Sequence, residues 1–206
     1  MGAFAPVPDG GTELAAGLCA TMIRPALGAM RARGTPFRGV LFAGCMLTAR
    51  GPMLIEFNCR FGDPETEVLM PLLESDLLEP LLRCSEGDLS GVTLRWREGA
   101  AAGIVMASRG YPGPYPSGLP IVGIAEAEAA GALVFHAGTA GRNGQVVTAG
   151  GRVLCVSATG EDVQAAAVRA YAGVSKITFE GAEYRRDIGR RASDGASTTA
   201  ARATQP

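Results

Sequence analysis

The chain has 206 residues, with 19 basic and 20 acidic side chains, a net charge of −1 and 47% hydrophobic residues. This balance supports a buried core and excludes the broad basic field that holds nucleic acid. The apolar runs are too short to span a bilayer, and residues 1–11 lack a charged n-region followed by an apolar stretch, so neither a membrane anchor nor a signal peptide is expected.

In chain order, residues 13–33 place Leu14, Leu18, Met22, Leu27 and Met30 at helical spacing. Pro25 should kink this helix or divide it in two, and Gly34 should stop it. Residues 40–47 and 53–58 are apolar and strand-length, and Ala49-Arg50-Gly51-Pro52 between them predicts a β-hairpin. Asp63 and Pro64 form a cap-and-start pair for a helix burying Val68, Leu69, Leu72 and Leu73. Ser75 should cap the next helix, which buries Leu77, Leu78, Leu81 and Leu82 and ends at Gly87. Residues 88–99 read as a linker, with a domain boundary near residue 98. Beyond it come short strands at residues 104–108, 121–124, 133–136, 145–148 and 152–157, then a helix over 161–176 with Val163, Ala167, Ala170, Tyr171 and Val174 inward. The Ser-, Thr-, Ala- and Gly-rich stretch 193–206 is expected to be disordered.

The five cysteines are odd in number, and no two have C-x-x-C spacing. Reduced thiols of a cytoplasmic protein fit this pattern better than zinc or a disulfide framework. All basic side chains are arginine except Lys176.

The chemistry concentrates at Leu54-Ile55-Glu56-Phe57-Asn58-Cys59-Arg60. Alternation along a strand puts Glu56 and Asn58 on one face, with Arg60 where the chain leaves it. A carboxylate and an amide carbonyl are hard oxygen donors suited to Mg²⁺, which takes its other ligands from water and nucleotide phosphates. A neighbouring arginine can neutralise a phosphoryl group in transfer. By strand logic alone, the same residues also fit a hairpin that turns polar groups to water. The Gly62-Asp63-Pro64 loop fits either an ordinary cap or an anion-facing helix start. Arg152, after Gly150-Gly151, fits a surface position or a functional one. His136 is the single histidine and has no Ser or Cys partner at a nucleophile elbow, so a hydrolase triad is excluded.

Glu56-Phe57-Asn58-Cys59-Arg60-Phe61-Gly62-Asp63-Pro64-Glu65 resembles the signature of the phosphoribosylamine–glycine ligases, members of the ATP-grasp superfamily. Similar matches follow in order at Met1-Gly2-Ala3-Phe4, residues 39–47, Ser75-Asp76-Leu77, residues 107–113, Phe135-His136-Ala137-Gly138-Thr139, residues 148–154 and Tyr184-Arg185-Arg186-Asp187-Ile188-Gly189. The resemblance implies an α/β (α+β) fold. Residues 1–98 would be the later part of an ATP-grasp domain, and residues 99–192 a small β-rich C-terminal domain with a helix. It implies ATP-dependent joining of 5-phosphoribosylamine to glycine through a glycyl phosphate, yielding glycinamide ribonucleotide, ADP and phosphate in de novo purine biosynthesis. Glu56 and Asn58 match the Mg²⁺ or Mn²⁺ ligands and Arg60 the position beside the transferring phosphoryl group; Asp63 and Arg152 lie in family-matched segments and are candidate substrate-site residues. ATP, glycine and 5-phosphoribosylamine are then the partners, with no nucleic acid and no membrane.

The family's N-terminal domain and the first part of its ATP-grasp domain, which carry lysines for the ATP phosphates, find no counterpart in this sequence. Lys176 falls in the C-terminal domain, and Arg190 stands where tryptophan is common. The expectation is a fragment that is inactive alone, with apolar faces exposed and an N-terminal half on another chain. The alternative is a non-catalytic binding module that pairs with a separate chain.

Overall fold

The computed structural model describes residues 1–8 and 10–190; the stretch 193–206, expected to be disordered, lies outside them. The chain forms two compact units. The larger comprises Met1–Pro8, Pro64–Leu72 and the described residues from Arg97 on, and the smaller the described residues of 10–63 with Leu73–Trp96. The units are therefore discontinuous in sequence, and the last change from one to the other falls between Trp96 and Arg97. The reason is non-local pairing: β1 (Gly2–Ala5) runs antiparallel to a strand about a hundred residues further along the chain.

In the smaller unit the first helical stretch is divided, as Pro25 leads one to expect. α1 (Thr12–Leu18) passes through a π-helical turn at Cys19–Ile23 into α2 (Arg24–Ala32), with Pro25 in its first turn. Proline has no N–H for the carbonyl four residues back and its ring crowds that carbonyl, so the helix widens just before it. Gly34 ends the helix at φ 76°. β2 (Phe42–Thr48) and β3 (Gly51–Asn58) form the expected antiparallel hairpin, with a register shift between Gly44 and Cys45.

α3 (Thr66–Leu69) belongs to the larger unit and starts later than Asp63 and Pro64 suggest. Its flanking residue is Glu65, whose side chain makes no capping hydrogen bond. Val68 and Leu72 are buried, but Leu69 and Leu73 only partly so, because one turn gives way to a 3₁₀ turn at Met70–Leu72 that rotates the face.

α4 (Leu78–Glu86), in the smaller unit, ends at Gly87 with φ 85°, as expected. Ser75 does not cap it. The Ser75 hydroxyl accepts from the Arg95 N–H at 2.6 Å, while Asp76 accepts from the Leu78 N–H at 2.7 Å. Of the leucines expected inside, Leu77 is half-buried, but Leu78, Leu81 and Leu82 are 70%, 40% and 57% exposed. Ile55, Met46, Leu47 and Met53 on the hairpin are exposed too. Among the described residues, every buried hydrophobic side chain lies in the larger unit. The smaller unit presents apolar faces without a core of its own.

The larger unit is built on β4 (Ala100–Ser108), whose small and aliphatic side chains are almost all buried. α5 (Ile124–Ala129), β5 (Leu133–His136), β6 (Thr139–Arg142), β7 (Gln145–Thr148), β8 (Arg152–Gly160), α6 (Val163–Val174) and β9 (Ala182–Glu183) follow. The main sheet is antiparallel in the order β1-β4-β8-β5, with β9 on β4, and β6 and β7 pair separately. Period-two alternation sorts β4 between two layers. Ala101 packs with Val68 and Leu72, while Ala102 packs with Ala166 and Ala167 of α6. α6 begins at Asp162, whose carboxylate accepts the Ala165 N–H at 2.7 Å.

Residues 121–124 are not a strand. Val122 makes one bridge to Thr178, and Gly123, at φ 90°, turns the chain directly into α5. The end of the described chain is strapped to α6 by Tyr171. Its hydroxyl donates to the Arg185 carbonyl at 2.9 Å and accepts from the Ile188 N–H at 3.0 Å. The Arg185 guanidinium, hydrogen-bonded to Asp187, holds that carboxyl down at about 2. No helix of the described residues is long and apolar enough to cross a membrane.

Candidate active site

The hairpin brings three of the singled-out side chains into one line. Asn58 Nδ2 donates to Glu56 Oε1 at 2.9 Å, and Arg60 Nη2 donates to Asn58 Oδ1 at 3.2 Å. Glu56 and Asn58 therefore share a face, as strand alternation requires. Arg60 bends back toward them and also donates through Nη1 to the Phe61 carbonyl at 2.8 Å. Across the ladder, Glu56 is opposite Gly44 and Asn58 is opposite Phe42. A Cβ at Gly44 would sit 3.5 Å from Glu56 Cγ, an ordinary van der Waals contact.

These donors fit a hard divalent cation. Both are oxygen ligands, and the amide oxygen, already accepting from Arg60, retains a second lone pair. Among the described residues, no group of three or more His, Cys, Asp or Glu side chains could hold a metal by itself. The pair thus fits an ion that takes most of its ligands from phosphates and water, as Mg²⁺ does. A hollow of about 710 Å³ in the same unit is lined by Gly10, Thr12, Leu14, Thr21 and Pro52 among others, and it does not include these three residues.

The other two candidates are Asp63 and Arg152. Asp63 is exposed at the end of the smaller unit's first segment. Arg152 is half-buried at the start of β8 in the larger unit, opposite Ala107 of β4. His136 is exposed and hydrogen-bonded through Nδ1 to the Thr139 hydroxyl at 2.9 Å, a local turn contact. Sequence reading passed over Ser108, the one polar side chain of β4, which is 1% exposed. Its signals in the sequence are a hydroxyl ending an otherwise apolar strand and a place in the matched segment 107–113.

Two family models match the chain. Residues 1–66 match the phosphoribosylglycinamide synthetase ATP-grasp (A) domain, and residues 101–191 the C domain of the same enzyme. Phosphoribosylamine–glycine ligase of Rhizobium meliloti (strain 1021) is 50% identical over 192 residues, which are 93% of this chain and 45% of that protein. The trifunctional purine biosynthetic protein adenosine-3 of Gallus gallus is 50% identical over 193 residues, 93% of this chain and 19% of that protein. In structure, phosphoribosylamine–glycine ligase from Thermotoga maritima is similar with a TM-score of 0.76 and 35% identity, over 91% of this chain and 46% of that one. A biotin carboxylase from Campylobacter jejuni shares the fold at a TM-score of 0.57 and 13% identity, over 92% of this chain and 41% of its own. The chain spans about half the length of the single-function ligases it matches. The Glu56–Asn58–Arg60 line lies inside the matched ATP-grasp segment, and the chain belongs to the phosphoribosylamine–glycine ligase family.

Proposed function

We propose that this chain contributes the metal-holding strand and the C domain of an ATP-dependent ligase that joins 5-phosphoribosylamine to glycine in purine biosynthesis. The observation that carries this reading is the hydrogen-bonded line of Glu56, Asn58 and Arg60 on one face of a hairpin. In this reading residues 1–98 are the later part of an ATP-grasp domain and residues 99–192 the C domain. Glu56 and Asn58 hold Mg²⁺ or Mn²⁺ with ATP as co-substrate. When bound, the ion neutralises phosphate charge and orients the γ-phosphoryl group.

Arg60, fixed to Asn58, directs its guanidinium to the phosphoryl oxygens as charge is redistributed over them. A glycine carboxylate oxygen forms a bond to the γ-phosphorus as the bond to ADP breaks. The amine nitrogen of phosphoribosylamine then attacks the carbonyl carbon of this glycyl phosphate, phosphate leaves, and the nitrogen releases a proton. Both steps rest on positioning and charge neutralisation, and neither requires a protein nucleophile. Arg152 and Asp63 are assigned to the substrates, Arg152 toward an anionic group.

The exposed apolar faces of the smaller unit support a reading in which the remainder of an ATP-grasp domain covers them in the working enzyme. The same feature favours the second reading, a module whose role is to pair with a separate chain. The odd count of five cysteines, with no C-x-x-C spacing, supports a cytoplasmic setting.

The test is a chimaera in which this chain replaces the matching part of the Rhizobium meliloti ligase, assayed beside the chain alone. ADP release that needs both glycine and phosphoribosylamine in the chimaera, with none from the chain alone, is expected. A folded chimaera without such release would overturn the catalytic reading in favour of the pairing module.

A further inference from the structure

We propose that Ser108 is a positioning residue: its buried hydroxyl fixes the Gly150–Gly151 turn, and with it the direction in which Arg152 meets an anionic group of the substrate. The proposal rests on the assignment of Arg152 to the substrates.

The turn between β7 and β8 is held from both sides. On the β4 side, the Ser108 N–H donates to the Gly151 carbonyl at 2.8 Å and the Ser108 hydroxyl donates to the Gly150 carbonyl at 3.0 Å. One residue thereby fixes two successive peptide groups immediately before Arg152. On the far side, the Gly138 N–H donates to the Arg152 carbonyl and the Ala149 N–H to the Gly138 carbonyl, both at 2.8 Å. The backbones pack so closely that a Cβ at Gly138 would lie 2.6 Å from Gly150 Cα. At Gly151, a Cβ would lie 2.1 Å from Cδ2 of Tyr111, so that ring closes over the turn. The other end is tied by a second buried hydroxyl, since Thr148 Oγ1 accepts from the Leu119 N–H at 3.1 Å.

Every other side chain of β4 is nonpolar, and the ladder to β8 slips by one residue between Met106 and Ala107, just before Ser108. The serine hydroxyl thus sits where the pairing of β4 with β8 has ended, while β4 still pairs with β9 through Ser108 and Ala182. There it supplies to the Gly150 carbonyl a hydrogen bond that the ladder does not. An alanine would fill the same space and remove only that anchor.

The experiment is calorimetric titration of ribose 5-phosphate into the full 206-residue chain. It compares the wild type, Arg152→Ala, Ser108→Ala, and Ser157→Ala as a control, since Ser157 is a fully buried hydroxyl of β8 away from the turn. Arg152→Ala should abolish binding. Ser108→Ala should weaken it by about tenfold, the lower end of what losing an orienting partner costs a site, while Ser157→Ala leaves affinity unchanged. Amide spectra of each variant report whether it is folded. If Arg152→Ala abolishes binding and folded Ser108→Ala binds like the wild type, the positioning role is wrong and the Arg152 assignment stands. If the wild type does not bind, or Arg152→Ala binds equally well, the assignment falls and the proposal with it. If Ser157→Ala weakens binding as much as Ser108→Ala, the effect belongs to the sheet as a whole and the positioning role is again wrong.

Discussion

Glu56→Gln should lower substrate-dependent ADP release in the chimaeric ligase by about 10²–10³-fold, the range seen when a single preorganised charge-stabilising group is removed. The substitution keeps the length of the side chain and an oxygen able to accept from Asn58 Nδ2, the contact that spans 2.9 Å in this structure. Only the negative charge that would hold the cation is lost. Glu56 is exposed on a two-stranded sheet, so the hairpin should be no less stable. The loss should appear in kcat, and raising the Mg²⁺ or Mn²⁺ concentration should recover part of it, whereas raising glycine should not. A Glu56→Gln enzyme within tenfold of the wild type at low metal would mean that the ion is held elsewhere.

Gly123→Ala should be among the most damaging substitutions to stability. Gly123 adopts φ 90°, and an added Cβ would lie 1.8 Å from the Lys176 carbonyl oxygen and 2.7 Å from its carbon. Both are backbone atoms, fixed by the Val122–Thr178 bridge on one side and the last turn of α6 on the other. The left-handed conformation and the overpacking together should cost about 3 kcal/mol or more. That corresponds to a fall of roughly 10 °C in Tm for a chain of this size. Gly131→Ala separates the two causes. Its φ is 89°, yet nothing lies within 4 Å of an added Cβ. That variant should lose only about 1 kcal/mol, the conformational part. Thermal unfolding of the two variants followed by circular dichroism provides the check, and equal losses would mean that the clash with Lys176 is relieved by movement.

The parts legible in the sequence are those with local causes. The β2–β3 hairpin follows from two apolar runs around a Gly-Pro turn, and the Glu56–Asn58 face follows from strand alternation. The break at Pro25 and the stop at Gly87 follow from backbone chemistry at single residues. What escaped depends on distant partners. β1 is only four residues long and exists because β4 pairs with it. Residues 121–124 are β-branched enough to suggest a strand, but their one bridge is to Thr178 and Gly123 needs room beside Lys176, facts set by the packing of α6. The amphipathic pattern of α4 correctly predicts a helix, but pattern alone does not supply the surface that would bury Leu78 and Leu82. Likewise Glu56, Asn58 and Arg60 could be grouped from spacing, whereas Ser108 acquires its role only through a turn some forty residues away.

The most direct test of the account is paramagnetic broadening by Mn²⁺ in the ¹⁵N-labelled chain with ATP present. The Asn58 side-chain amide and the backbone amides of residues 56–60 should broaden first, and Glu56→Gln should abolish this selectivity. Broadening that begins elsewhere, or that is the same in Glu56→Gln, would contradict the placement of the cation on this strand.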